Sequence, residues 1–312
     1  MPTDHQLEVA IQPEVSPLRA VVTRRNLIFA AIVGVSLVAF LDPVRRLIAL
    51  SQTSDEYSYL ALIPVIVAGL FYIKRRSVFL EVHYSLRAGI PLIASGAAAG
   101  CAGMLLTGGL TPDVSLFFET LGLVLACIGA FVLCYGTAAA RRGLFPVLFS
   151  LLVVPIPEVL MAKPIALVQH GSADVTAFLF TLTGLPVFRN GLTFSLPRLT
   201  FVVATECSGI HSTTALFIAS LLAGHFCCKA AWQKGLLVAL VLPIICFTNG
   251  LRMFILAVLA VYVDRAFFFG NLHKKGGIFF FALALVILAV IIKLLRRPWR
   301  GRPTPRLSET QA

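Results

Sequence analysis

The stretch TECSGIHS, residues 205 to 212, sets a carboxylate (Glu206), a thiol (Cys207) and an imidazole (His211) within six residues, directly ahead of an apolar run. A cysteine attacks a carbonyl as its thiolate, which a cation or a helix start favours, and Cys207 stands at such a start. Arg252 lies inside the apolar run 235–262, where insertion of an arginine costs about 2.5 to 3.5 kcal/mol at mid-span and less toward the interface. His273 precedes the last apolar run, 277–295. A histidine can take the thiol proton and return it to a leaving amine, and an arginine is a permanent fork of donors for an oxyanion or a substrate carboxylate. The chemistry open to Cys207, Arg252 and His273 together is acyl transfer.

Each position also has a plainer reading. Cys207 alone is small apolar filler, His273 a solvated or interfacial residue, and Arg252 a snorkelling or structurally paired side chain. His211, four residues after Cys207 on the same helix face, is a rival base. Glu206 either orients a histidine or is a charge favoured at a helix start. Asn249, three positions before Arg252, either holds the guanidinium or hydrogen-bonds between helices. Ser208 has no nearby Asp-His pattern to make it a nucleophile.

The elements that position these groups are membrane helices. Of 312 residues, 58% are hydrophobic and 13% charged, against roughly a quarter charged in a soluble domain. Apolar runs at about 27–41, 60–73, 88–107, 115–138, 143–160, 208–224, 235–262 and 277–295 give an all-α polytopic membrane protein of about eight transmembrane helices. The connection 161–206 is too apolar for a floppy loop. Within it, 164–183 reads as a re-entrant or interfacial helix and RNGLTFSLP as a turn leading into an extended segment, a partly structured outer connection. The tail 1–25 reads as disordered and cytoplasmic, 26–296 as the transmembrane domain, and 297–312 as a basic cytoplasmic tail.

The net charge of +12 does not point to nucleic acid, because Lys and Arg cluster at the ends of apolar runs. Arg24 and Arg25, Lys74 to Arg76, Arg141 and Arg142, Lys229 and Lys234, and the final arginines fall on alternate connections, which favours both chain ends in the cytoplasm. Cys207, Arg252 and His273 then approach one exoplasmic face. Seven cysteines, mostly inside apolar runs, lack zinc-site or disulfide-framework spacing, so no metal or cofactor is expected. No internal repeat supports an inverted-repeat transporter.

The ordered series CSGI (207–210), NGLR (249–252) and HKKGG (273–277) resembles the exosortase/archaeosortase family of polytopic membrane cysteine proteases or transpeptidases. SDEYSYLALIPVIVAGLFYIKRR and FPVLFSLLVVPIPEVL through GLPVFRNGLTFSLP extend the likeness over roughly residues 50 to 295. The resemblance implies Cys207 as nucleophile, Arg252 as stabiliser of the transition state or substrate carboxylate, and His273 as acid/base partner. His211 ranks behind His273, since the family pattern often has arginine there. It further implies a multi-pass protein of a bacterial inner membrane with its site facing the periplasm. Expected partners are exported proteins ending in a short signature, a transmembrane helix and a basic tail, with a lipid or glycan acceptor for the cleaved product. Competing readings are a transporter whose pathway Arg252 and Glu206 line, and a glycosyl- or acyltransferase that does not use the thiol.

Overall fold

Inside hydrocarbon a chain must satisfy its own backbone polar groups, and a run of apolar residues does so by becoming a helix. The computed structural model describes residues 24–105, 109–197, 199–203, 210–264 and 277–296, with the backbone alone for Asp55, Ile210 and His211. Among the described residues six helices are long and apolar enough to cross a membrane, or seven if one bent pair counts as a single span. The chain is an all-α polytopic membrane protein, with a span count close to the eight expected. It packs as two compact units, Met1–Pro157 and Glu158–Ala312.

In the first unit, α1 (Arg24–Ala39) and α2 (Leu41–Thr53) form the bent pair, with 75° between them. A 3-10 turn, Asp55–Ala61, leads into α3 (Leu62–Val78), followed by α4 (Leu86–Leu105) and α5 (Pro112–Arg142). The buried residues of α4 are Gly89, Gly96, Gly100 and Gly103, a stripe that lets α5 approach backbone to backbone. A Cβ on Gly96 would stand 2.7 Å from the Gly122 carbonyl oxygen, so this approach requires glycine. Glu119 of α5 is buried in the span; it accepts a hydrogen bond from Ser115 at 3.0 Å and is ion-paired with Arg46 of α2. Arg46 also meets Asp42 at 3.2 Å, one helical turn earlier. Near its end α5 kinks at Gly136, where φ is 89°, and the Ser85 N–H donates to the Leu133 carbonyl beside the break at 3.0 Å.

The structure corrects two expectations here. The segment 143–160 is not one crossing: α6 (Leu144–Phe149) and a 3-10 turn, Ser150–Val153, are followed by extended backbone at Val154 and by Pro155 and Pro157. Prolines remove amide donors and bias the preceding residue away from the helix, which ends the run. Conversely, 164–183 is not an isolated re-entrant piece but the greater part of α7 (Glu158–Thr183), whose 26 residues are long enough to span. Of the expected tails, α1 takes in Arg24 and Arg25, whereas residues 1–23 and 297–312 lie outside the described residues.

The second unit begins with α7 and continues into an antiparallel sheet, β1 (Phe188–Asn190), β2 (Thr193–Leu196) and β3 (Leu199–Val202), in that order. Gly191, at φ 60°, makes the tight turn between β1 and β2. Alternate residues of β2 and β3 point one way, and Phe194 stacks on Phe201 with ring centroids 5.2 Å apart. This face packs with Phe180 of α7 and with Met253 and Leu256 of α9 (Ala231–Tyr262). A second cluster joins α8 (Ile210–Cys227), α9 and α10 (Gly277–Leu295) through Leu216, Leu237, Ile245, Ala284 and Leu288.

Candidate functional site

Arg252 is half-buried on α9 and lines a small cavity of about 20 Å³. Three helices of the second unit build its wall: Ser212 from the first turn of α8, Ile245, Thr248, Asn249 and Arg252 from α9, and Gly277, Phe280 and Phe281 from the start of α10. Gly277 comes close to the guanidinium, since a Cβ there would stand 3.8 Å from Arg252 Nη1. The three starting points are therefore a helix interior bearing the cation and the N-terminal ends of two others.

The polar lining is held from behind by α7. Asn249 is buried and donates from Nδ2 to Ser172 Oγ at 3.1 Å. One residue on, the Gly250 carbonyl accepts the Thr176 hydroxyl at 3.1 Å, and that hydroxyl also donates to the Ser172 carbonyl at 2.8 Å. Gly250 permits the contact, because a Cβ there would lie 2.8 Å from the Ser172 carbonyl oxygen. Of the two roles set out for Asn249, the bond between helices is present, and the residue lines the cavity with Arg252 as well.

Glu206, Cys207 and His273 lie outside the described residues, as does the side chain of His211, whose backbone is the second residue of α8. What is described is how the chain reaches them. Val203, four residues ahead of Cys207, is fully buried, and its carbonyl accepts Gln169 Nε2 of α7 at 3.1 Å. Its N–H bonds the Leu192 carbonyl at 3.0 Å, so the sheet continues to this point. Val203 also shares a core cluster with Met253, the residue after Arg252. Ser172, Thr176, Gln169 and Ser212 were not picked out from sequence, whereas Gly277 closes the HKKGG motif. Small hydroxyls and an amide carry no signal until the helices that oppose them are known.

Among the described residues no three His, Cys, Asp or Glu side chains come together as metal ligands do. Cys134 and Cys228 are buried among apolar neighbours, in keeping with a packing role.

A polytopic helical protein with an arginine inside a three-helix cavity defines the class by fold. The comparison of sequences names the family: the model described as Transmembrane exosortase (Exosortase_EpsH) matches residues 51–290, and the chain belongs to the transmembrane exosortase family. No curated protein and no solved structure matched the chain.

Proposed function

We propose that this exosortase is a membrane cysteine transpeptidase or protease that cleaves the C-terminal sorting signals of exported proteins. The observation that supports the reading is the cavity around Arg252. Two of its walls are the first turns of α8 and α10, and the chain attaches Cys207 three residues ahead of the one and His273 four residues ahead of the other. At most about 3.6 Å per residue of chain, both groups are tethered within roughly 11 and 14 Å of those helix starts. Cys207 would add through its thiolate to the scissile carbonyl carbon, with Arg252 beside the developing oxyanion. His273, having taken the thiol proton, would give it to the departing amine of the anchor segment as the C–N bond breaks, leaving a thioester on Cys207. Attack by water, or by an amine or hydroxyl of a lipid or glycan acceptor, then releases the acyl group and regenerates the thiol.

With the bent pair α1 and α2 counted as one crossing, α7 replaces 143–160 as the fifth crossing ahead of Cys207, and on that count the distribution of Lys and Arg still favours an exoplasmic site in a bacterial inner membrane. The test is mass spectrometry of a candidate substrate's new C-terminus in cells carrying the intact chain or Cys207→Ala. Normal insertion with loss of the new terminus is expected; unchanged processing in the alanine variant would overturn the reading and return attention to transport or to thiol-independent transfer.

A further inference from the structure

The first unit contains a larger cavity, none of whose lining residues takes part in the chemistry proposed at Cys207. It measures about 630 Å³ and lies between the start of α1, the connection from α3 to α4, and α5 beside its kink. Its lining includes Arg24, Arg25 and Asn26 together with Phe79, Tyr84 and Tyr135. The aromatic wall is ordered: Phe79 and Tyr135 meet edge to face at 5.0 Å, Tyr135 donates its hydroxyl to Asn26 Oδ1 at 2.8 Å, and the Arg25 guanidinium rests over Tyr84 at 4.7 Å. Tyr84 and Phe79 remain exposed at the rim.

The two arginines have no anionic partner among the described residues. None of the ion pairs includes them, and Arg25 Nε is buried without a hydrogen-bond acceptor. Glu81, in the same connection, is engaged by Arg142 at 2.8 Å. A buried guanidinium nitrogen costs free energy unless an acceptor reaches it, and a cavity of this size admits one. This end of the unit is also its basic end, where α3 closes with Arg75 and Arg76 and α5 with Arg141 and Arg142. Basic pockets between transmembrane helices at such an end match the charge and shape of lipid headgroups: phosphate to the guanidinium forks, glycerol and first acyl carbons to the aromatic wall.

We propose that this cavity is a binding site for the phosphate headgroup of an anionic phospholipid, seated on Arg24 and Arg25 against Phe79, Tyr84 and Tyr135.

Native mass spectrometry of the full chain, released from bilayers of phosphatidylglycerol and phosphatidylcholine in equal parts, reads the retained lipid directly. Phosphatidylglycerol should be retained in preference. The variant R24Q/R25Q should lower that retention about fivefold for each arginine removed, roughly thirtyfold for the pair. The variant R75Q/R76Q removes the same charge from the same end without touching the cavity and should lower retention clearly less than R24Q/R25Q does. Equal retention of the two lipids, or equal losses in the two double variants, would overturn the proposal, the latter by reducing it to general surface charge. Millimolar inorganic phosphate displacing the lipid completely would assign the pocket to a free anion and likewise overturn it. Should R24Q/R25Q fail to fold, R24Q alone, at an exposed position, carries the same test with a fivefold loss expected.

Discussion

Gly250→Ala is the sharpest probe of how α7 sets the position of Arg252. The added Cβ would stand 2.7 Å from Val175 Cβ and 2.8 Å from the Ser172 carbonyl oxygen, about 0.6 to 0.7 Å short of ordinary contact at 3.4 Å. Neither a helix carbonyl nor a Cβ, which the backbone fixes, can turn aside, so α7 and α9 must part by most of that deficit. Overpacking of this kind costs about 1 to 3 kcal/mol. The same separation stretches the Asn249–Ser172 bond and moves Arg252, two residues along, relative to α8 and α10. Because a misplacement of about 1 Å can cost roughly a hundredfold in rate, a loss of about tenfold or more in kcat is expected from a shift somewhat smaller than that. Gly235→Ala is the control within the same helix, since a Cβ there meets nothing within 4 Å. The assay pairs unfolding in detergent micelles with the rate of substrate cleavage. Adding Val175→Ala to Gly250→Ala removes the Cγ1 contact at 2.8 Å but leaves the Cβ of residue 175 and the Ser172 carbonyl in place, so little rescue is expected. If Gly250→Ala behaves like Gly235→Ala in both measurements, the close approach does not position the site and the reasoning fails.

Two further perturbations follow from the buried polar contacts. In a double-mutant cycle of Ser172→Ala and Asn249→Ala, followed by unfolding in mixed micelles, the coupling should be about 0.6 kcal/mol, the average for hydrogen bonds between membrane helices, and no more than about 1.7; a value near zero would show the 3.1 Å contact to be incidental. Arg46→Ala strands the buried Glu119 carboxylate and should destabilise the first unit by about 2 to 3 kcal/mol, below the full cost of breaking a buried pair because the Arg46 side chain is 39% exposed. Adding Glu119→Gln removes the stranded charge and keeps an acceptor for Ser115, so most of that stability should return in thermal unfolding; no recovery would mean that the ion pair is not what holds α2.

Hydropathy alone marked most of the crossings, because a run such as that of α10 has no other stable state in a membrane than a helix. It failed where polar and apolar signals were exchanged between neighbours. The segment 143–160 is rich in Leu, Val and Phe, yet Pro155 and Pro157 stop it short of a crossing. The helix that does have the length, α7, carries Glu158, Lys163, Gln169, His170 and Asp174 and has the lowest mean hydropathy of the six candidate spans. In the site, Arg252 and Asn249 were legible because charged and amide groups inside an apolar run demand a reason. Ser172, 77 positions away from Asn249 in the chain, was not, since a serine can satisfy itself on its own helix and its partner is set by packing.

The polar residues that hid α7 are also the ones through which it acts. Gln169 holds the Val203 carbonyl, Ser172 accepts from Asn249, Asp174 pairs with Arg189 of the sheet at 2.7 Å, and Thr176 bonds the Gly250 carbonyl. Four side chains within eight residues therefore fasten this helix to the strand leading toward Cys207, to the sheet and to the helix bearing Arg252. A purely apolar helix would cross the bilayer more cheaply, but van der Waals packing between apolar helices tolerates small slides and rotations, whereas a hydrogen bond inside hydrocarbon loses its partner when displaced by an ångström. The lower hydropathy of α7 is thus the cost of a fixed register between the cation and the chain that carries the thiol.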